Sequence, residues 1–182
     1  LRPYQERGLG WMAFLNRFDQ GACLADDMGL GKTIQLLAFI QHLKSEQELK
    51  KPVLLVAPTS VLINWQREAL KFTPELKVIE HYGPKRPTKE TDLQKKLKGV
   101  DILITSYGLI QRDSHLLKNI NWQGIVIDEA QAIKNPSTKQ SKEIREIANS
   151  QKNNQFKIAL TGTPIENRVS ELWSLMNFLN PS

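Results

Sequence analysis

The chain has 182 residues, 40 % of them apolar, which is enough for one sizeable core and fits a single domain. Its 25 Lys and Arg against 19 Asp and Glu leave a net charge of +6, an excess that permits a phosphate-backbone partner without requiring one. A single cysteine, Cys23, excludes an internal disulfide and fits a reducing, intracellular setting; with no apolar run near the roughly 18 residues of a membrane span and no charged-then-apolar leader, neither membrane insertion nor secretion is expected.

In chain order, apolar residues at positions 4, 11, 12, 15 and 18 predict an entry helix from Tyr4 to Phe18, stopped by Asp19-Gln20-Gly21. Six short apolar runs then predict strands: Ala22 to Ala25, Val53 to Ala57, Val78 to His81, Ile102 to Thr105, Ile125 to Asp128 and Ile158 to Thr161. Helical periodicity falls between most of them, at Thr33 to Leu43, Val61 to Phe72, Ser137 to Ala148 and Val169 to Leu179. Several strands are continuously apolar, as strands covered on both faces must be. The expectation is one α/β domain over residues 1–182, with a mainly parallel central sheet and helices on both faces. The polar stretch His81 to Lys98 reads as a surface loop leading into a short helix, a solvated face, and Asn149 to Gln155 as a surface turn. The chain opens without methionine and stops at Asn180-Pro181-Ser182 after a strongly helical stretch, so it reads as part of something longer.

Chemistry concentrates first in Asp26-Asp27-Met28-Gly29-Leu30-Gly31-Lys32-Thr33, set between a strand and a helix. Strand, glycine loop and helix is the context of a phosphate-binding P-loop. Glycines let backbone N–H groups turn toward phosphate oxygens, and the helix N-terminus adds its positive end. Lys32 then reaches the β- and γ-phosphates and the Thr33 hydroxyl can hold Mg²⁺. The general motif places glycine five positions before Gly31, where this chain has Asp26, so a strict search misses it.

The run Ile125-Val126-Ile127 ends in Asp128-Glu129-Ala130-Gln131, two adjacent carboxylates at the C-terminal end of a strand, where open α/β sheets bind ligands. Asp128 is suited to hold Mg²⁺ through its water shell and Glu129 to polarise the water that attacks the γ-phosphate. An Asp-Glu pair alone is common at solvated strand ends. Following a glycine loop, with strands between, it is specific.

Beyond these two motifs the whole chain resembles the Swi/Snf-type ATPases of helicase superfamily two: chromatin remodellers, recombination translocases and their bacterial relatives. Leu1-Arg2-Pro3-Tyr4-Gln5 with Gly10-Trp11 is similar to that family's opening motif, which implies that Gln5 reads the adenine edge and selects ATP. The Asp-Asp-Met-Gly-Leu-Gly-Lys-Thr loop is the form the family's P-loop takes, which accounts for Asp26 and extends the nucleotide contacts to Asp26, Asp27, Met28, Gly29, Leu30 and Gly31. Leu55-Val56-Ala57-Pro58-Thr59-Ser60 with Asn64-Trp65 and Glu68 resembles motif Ia, with Thr59 and Ser60 suited to a DNA phosphate and Trp65 read as core packing. Ile104-Thr105-Ser106-Tyr107 is similar to a second DNA-contacting strand end; Thr105 and Ser106 read equally as helix caps. Leu160-Thr161-Gly162-Thr163-Pro164-Ile165-Glu166-Asn167 resembles motif III, which implies that Thr161, Gly162, Thr163 and Asn167 couple the nucleotide site to DNA. Gln131, where many nuclear members carry histidine, points to the bacterial and archaeal branch and joins Lys32, Asp128 and Glu129 as a catalytic residue.

The resemblance implies a RecA-like lobe that uses ATP and Mg²⁺, with double-stranded DNA and a second RecA-like lobe of the same longer chain as partners, leaves room for a DNA-bound protein substrate, and implies no membrane. It implies a cytoplasmic, nucleoid-associated location in a prokaryote or a nuclear one in a eukaryote. The second lobe carries the arginines that complete the site, so the 182 residues alone are expected to be nearly inactive. An RNA or single-strand DNA helicase lobe and a non-catalytic docking module remain as alternatives.

Overall fold

The computed structural model describes residues 1–27, 29–150, 155–162 and 169–181. Six strands form one sheet in the order β1-β6-β5-β2-β4-β3, every pairing parallel: β1 (Ala22–Leu24), β2 (Val53–Ala57), β3 (Val78–His81), β4 (Ile102–Ser106), β5 (Gly124–Ile127) and β6 (Phe156–Leu160). All positions of β2, β4 and β5 are buried, the burial expected of strands covered on both faces. Helices α1 (Pro3–Arg17), α2 (Lys32–Ser45) and α3 (Leu62–Phe72) supply one covering layer, through Met12, Leu36, Phe39, Ile40 and Trp65. The other comes from α4 (Glu90–Lys96), α5 (Tyr107–Leu117), α6 (Lys139–Asn149) and α7 (Val169–Leu179), through Leu93, Ile110, Leu117, Ile144 and Phe178.

Five of the helices follow the periodicity read from the sequence, whereas α5 does not. Gly108 and the polar run Gln111-Arg112-Asp113-Ser114-His115 dilute its apolar spacing, and the helix is kinked at Asp113 (φ −112°, ψ 15°). It forms because Ser106 Oγ accepts from the Leu109 N–H at its start and because Leu109, Ile110, Leu116 and Leu117 are buried. A capping hydroxyl also opens α6, where Thr138 accepts from the Ser141 N–H.

Register aligns the functional ends of the strands. Val56 pairs with Ile127, and the next residue, Asp128, continues the ladder by donating its N–H to the Val56 carbonyl at 2.8 Å. Leu24 pairs with Leu160, and Thr161 N–H donates to the Leu24 carbonyl at 3.2 Å. The glycine loop after β1 and the carboxylates after β5 therefore leave the same sheet edge, with β6 between them, roughly 10 Å apart at two strand spacings. At the opposite edge of β5, Gly124 is required by packing: a Cβ there would lie 2.1 Å from the Phe156 ring, which itself meets Phe39 of α2 edge-on at a centroid distance of 5.3 Å.

Gly124→Ala is accordingly expected to destabilise the protein by about 2 kcal/mol or more through overpacking. Gly10→Ala, in the exposed middle of α1 with open space around the added methyl, is expected to gain up to about 1 kcal/mol. Urea unfolding of the two variants measures both, and a neutral Gly124→Ala would contradict the packing described.

Candidate active site

The glycine loop obtains its shape from two left-handed residues, Gly29 (φ +86°) and Gly31 (φ +78°), the second capping α2. Lys32 Nζ donates to the carbonyls of Asp26 at 2.6 Å and Asp27 at 3.1 Å, and its third hydrogen is left for a phosphate oxygen. Gln35 Nε2 donates to Asp26 Oδ2 at 3.0 Å, so Asp26 supports the loop through its side chain. The loop is docked on α1: Tyr4 Oη and Gln5 Nε2 both donate to the Leu30 carbonyl, at 3.0 and 3.3 Å, and Gln5 Oε1 accepts from the Arg2 N–H. Gln5 is buried, and a Cβ on Gly31 would lie 2.6 Å from its amide nitrogen, so the glycine admits the glutamine. Met28 lies outside the described residues.

Opposite the loop, Asp128 is held at every polar atom. Its N–H meets Val56, its carbonyl accepts from Tyr107 Oη at 2.6 Å, Oδ1 accepts from the Glu129 N–H at 2.9 Å, and Oδ2 accepts from the indole of Trp65 at 2.8 Å. Burial pushes the Asp128 carboxyl up from its ordinary range; the Trp65 and Glu129 hydrogen bonds pull the other way, and the neighbouring Glu129 charge adds to the rise. Burial, with the Asp128 and Glu129 charges, likewise holds the Tyr107 hydroxyl well above its usual value, so it stays a neutral donor. Trp65 and Tyr107 are functional neighbours that sequence reading missed: an apolar ring at helical spacing reads as core, and its N–H partner lies 63 residues away.

Glu129 sits in a left-handed conformation (φ 51°, ψ 57°), a strained state for a residue with a Cβ. Gln131 Nε2 donates to Glu129 Oε2 at 2.6 Å, while Gln131 Oε1 accepts from the Thr161 hydroxyl at 3.1 Å. Gln131 thus bridges the carboxylate after β5 and the segment after β6. Gly162 follows Thr161 at that strand end, while Thr163 and Asn167 lie outside the described residues. The 3₁₀ turn Ala130–Ile133 is anchored from α7 by Ser174 Oγ donating to the Ile133 carbonyl at 2.6 Å.

Of the four residues expected to face DNA, the structure separates two pairs. Thr59 and Ser60 are exposed in a 3₁₀ turn after β2, at the same edge as the glycine loop. Thr105 and Ser106 are both buried, Thr105 donating its hydroxyl to the His81 carbonyl at 3.0 Å and Ser106 capping α5, the cap being one of the two readings that the sequence leaves open. The segment after β3 leaves from His81, the residue whose carbonyl accepts from Thr105. That segment is locked by a buried cluster, in which Asp113 Oδ2 takes His81 Nε2 and Arg86 Nε, each at 2.7 Å. Burial pushes the Asp113 carboxyl up, but the hydrogen bonds from Arg86 and His81 outweigh it and leave it below its ordinary range. Burial keeps His81 below its own, hence neutral near pH 7.

The oxygen donors fit Mg²⁺, a hard cation that takes a hydroxyl and a carboxylate and keeps several waters. The loop fits a phosphate chain, since nothing lies within 4 Å of where a Gly29 side chain would stand. A six-stranded parallel sheet, a glycine loop after its first strand and paired carboxylates one strand removed define a RecA-like P-loop domain. The chain belongs to the SNF2-related domain family, whose model matches residues 4–182. It is 51 % identical over 180 residues to the putative ATP-dependent helicase/translocase YwqA of Bacillus subtilis, covering 99 % of this chain and 19 % of that protein. It is 41 % identical to the ISWI chromatin-remodeling complex ATPase ISW1 of Saccharomyces cerevisiae, covering 16 % of that protein. The solved Sulfolobus solfataricus SWI2/SNF2 ATPase core in complex with dsDNA matches with a TM-score of 0.85 and 47 % identity, over all of this chain and 36 % of that one. The higher identities to the bacterial and archaeal proteins agree with the branch indicated by Gln131.

The Asp113 cluster gives a pH prediction. A carboxyl whose pKa is lowered on folding contributes stability above its unfolded pKa and loses it as pH falls toward the folded one. Asp113→Asn is therefore expected to cost on the order of 2 kcal/mol at pH 7, a deficit that shrinks below about pH 4 as wild-type Asp113 protonates. Denaturant titrations at a series of pH values measure the difference, and a pH-independent deficit would contradict it.

Proposed function

We propose that this chain is the ATP- and Mg²⁺-binding lobe of a double-stranded DNA translocase that couples ATP hydrolysis to movement along duplex DNA. The observation that carries the reading is the convergence at one sheet edge of Lys32 and Thr33 after β1, Asp128 and Glu129 after β5, and Thr161 after β6. In this reading the loop amides and Lys32 bind the phosphates, Gln5 faces the base, and Thr33 and Asp128 hold Mg²⁺. When bound, the metal neutralises charge on the β- and γ-phosphate oxygens. Glu129 orients the attacking water and takes its proton, while Gln131, accepting from Thr161, fixes where the Glu129 carboxylate stands. The same bridge supports Gln131, Thr161 and Gly162 as the link through which the nucleotide site communicates with DNA.

Duplex DNA as partner is supported by the Sulfolobus ATPase core, whose solved structure contains dsDNA, and by the exposed Thr59 and Ser60 at the proper edge. Phosphate contacts of this kind bind any sequence and weaken with salt. In the full-length protein, Thr59→Ala with Ser60→Ala is expected to weaken duplex binding roughly thirtyfold regardless of sequence, at about 1 kcal/mol per lost hydrogen bond. Thr105→Val is expected to leave duplex affinity unchanged while costing about 1 kcal/mol of stability. Equilibrium binding to unrelated duplexes separates the two, and loss of affinity in Thr105→Val alone would reverse the assignment.

The chain covers 36 % of the solved ATPase core, and in this reading a second lobe contributing arginines would complete the proposed site. Such arginines are worth about 10³ to 10⁵ in rate in phosphoryl transfer. The 182 residues alone are expected to bind ATP·Mg²⁺ weakly and to turn over far below about 1 s⁻¹, the low end of ordinary enzymes. The full-length protein is expected to be stimulated by duplex DNA in preference to single-stranded DNA or RNA. Rapid DNA-stimulated turnover by the lobe, or stimulation by RNA alone, would overturn the reading.

A further inference from the structure

The nucleotide chemistry above leaves the first turns of α3 without a task. Trp65 is 3 % exposed and packs with the layer of α1, α2 and α3, which by itself is the behaviour of a core tryptophan. Its indole N–H, however, is aimed at Asp128 Oδ2 at 2.8 Å. The other carboxylate oxygen is taken by the Glu129 N–H at 2.9 Å, a bond from the adjacent residue of the same strand end. Among the described residues, Trp65 supplies the long-range side-chain bond to this carboxylate, from a helix that follows another strand. An acceptor oxygen with two lone pairs that spends one on an indole keeps the second for a water of the cation's shell. Packing alone would ask only for a bulky apolar side chain here, without an N–H to orient anything.

We propose that Trp65 is a positioning residue that holds the Asp128 carboxylate in the orientation that receives Mg²⁺. The inference rests on the reading of Asp128 as a Mg²⁺ residue and adds a partner for it. Such partners of metal-holding groups matter because a carboxylate that must be ordered on binding gives up affinity. Trp65 lies on the helix that directly follows the Thr59–Val61 turn, so the orientation of Asp128 is tied to the position of the segment proposed to meet DNA.

The test uses the full-length protein and a fluorescent, non-hydrolysed ATP analogue, titrated first in EDTA and then at rising Mg²⁺. Two variants remove the N–H: Trp65→Phe, and replacement of Trp65 by 3-benzothienylalanine, which keeps the bicyclic ring and puts sulfur where the N–H stood, so that a folded protein is available even if phenylalanine leaves a damaging cavity. Affinity in EDTA is expected to stay at the wild-type value, while the Mg²⁺ concentration at half effect rises roughly tenfold. A wild-type Mg²⁺ curve in the benzothienyl variant, or an equal loss of affinity with and without Mg²⁺, would overturn the proposal and leave Trp65 as packing. Asp128→Ala distinguishes the two levels of failure. If it abolishes the Mg²⁺ effect while the Trp65 variants do not, only the positioning role falls; if it too leaves the Mg²⁺ curve unchanged, the assignment of Asp128 falls and this inference with it.

Discussion

Six strands running in one direction impose the conditions from which the rest of the molecule follows. Parallel neighbours cannot be joined by tight turns, so each connection crosses a face of the sheet, and the economical crossover is a helix. Helices on both faces bury every central strand completely, which is why β2, β4 and β5 have no polar side and read as unbroken apolar runs until their last residues. Because all strands end at the same edge, whatever chemistry their final residues carry is gathered there. Asp128, Thr161 and the loop after Leu24 are neighbours through direction and register, though up to 137 residues separate them in the chain.

Gathering polar groups at a sheet edge has a cost, and the structure shows how it is offset. A half-buried carboxylate between two helices is unfavourable unless its oxygens are satisfied, and at Asp128 both are, together with its backbone N–H and carbonyl. Glu129 adds a second kind of cost. A left-handed backbone at a residue other than glycine is disfavoured by roughly 1 to 2 kcal/mol, and it persists here because the 3₁₀ turn behind it is pinned by Ser174 and Gln131. Both costs fall on the two residues whose orientation the proposed chemistry needs, and at neither position would a core of greater stability choose them.

Most of the fold was legible because continuous apolar runs and helical spacing arise directly from burial on two faces. The exception, α5, is instructive: its period is interrupted by Gly108 and by Asp113, and Asp113 is buried not for packing but to hold Arg86 and His81. A charge at a buried position removes the pattern that would reveal the helix. At the site, Lys32, Thr33, Asp128 and Glu129 were singled out because phosphate and Mg²⁺ would demand such residue types at strand ends, and the structure brings the four to one sheet edge. Thr105 and Ser106 stayed open between two readings for the complementary reason. Hydroxyls suit a phosphate, a carbonyl and a helix end equally well, and only the tertiary partners, the His81 carbonyl for Thr105 and the start of α5 for Ser106, separate them. Trp65 lay beyond reading for a third reason: its position is set by packing, and its single polar atom becomes informative only when its acceptor is known.

The bonds from Lys32 to the carbonyls of Asp26 and Asp27 make this lysine part of the framework of its own loop. An ammonium that draws two successive carbonyls toward one point restrains the peptide planes that carry them. The charge thereby sculpts the backbone that binds before it binds anything itself. An uncharged side chain at position 32 would lose an electrostatic contact and also release the curvature of the loop, so the behaviour of such a protein would mix a missing cation with a misshapen anion cradle. Changes at Glu129, which touches no atom of that loop, separate chemistry from architecture more cleanly.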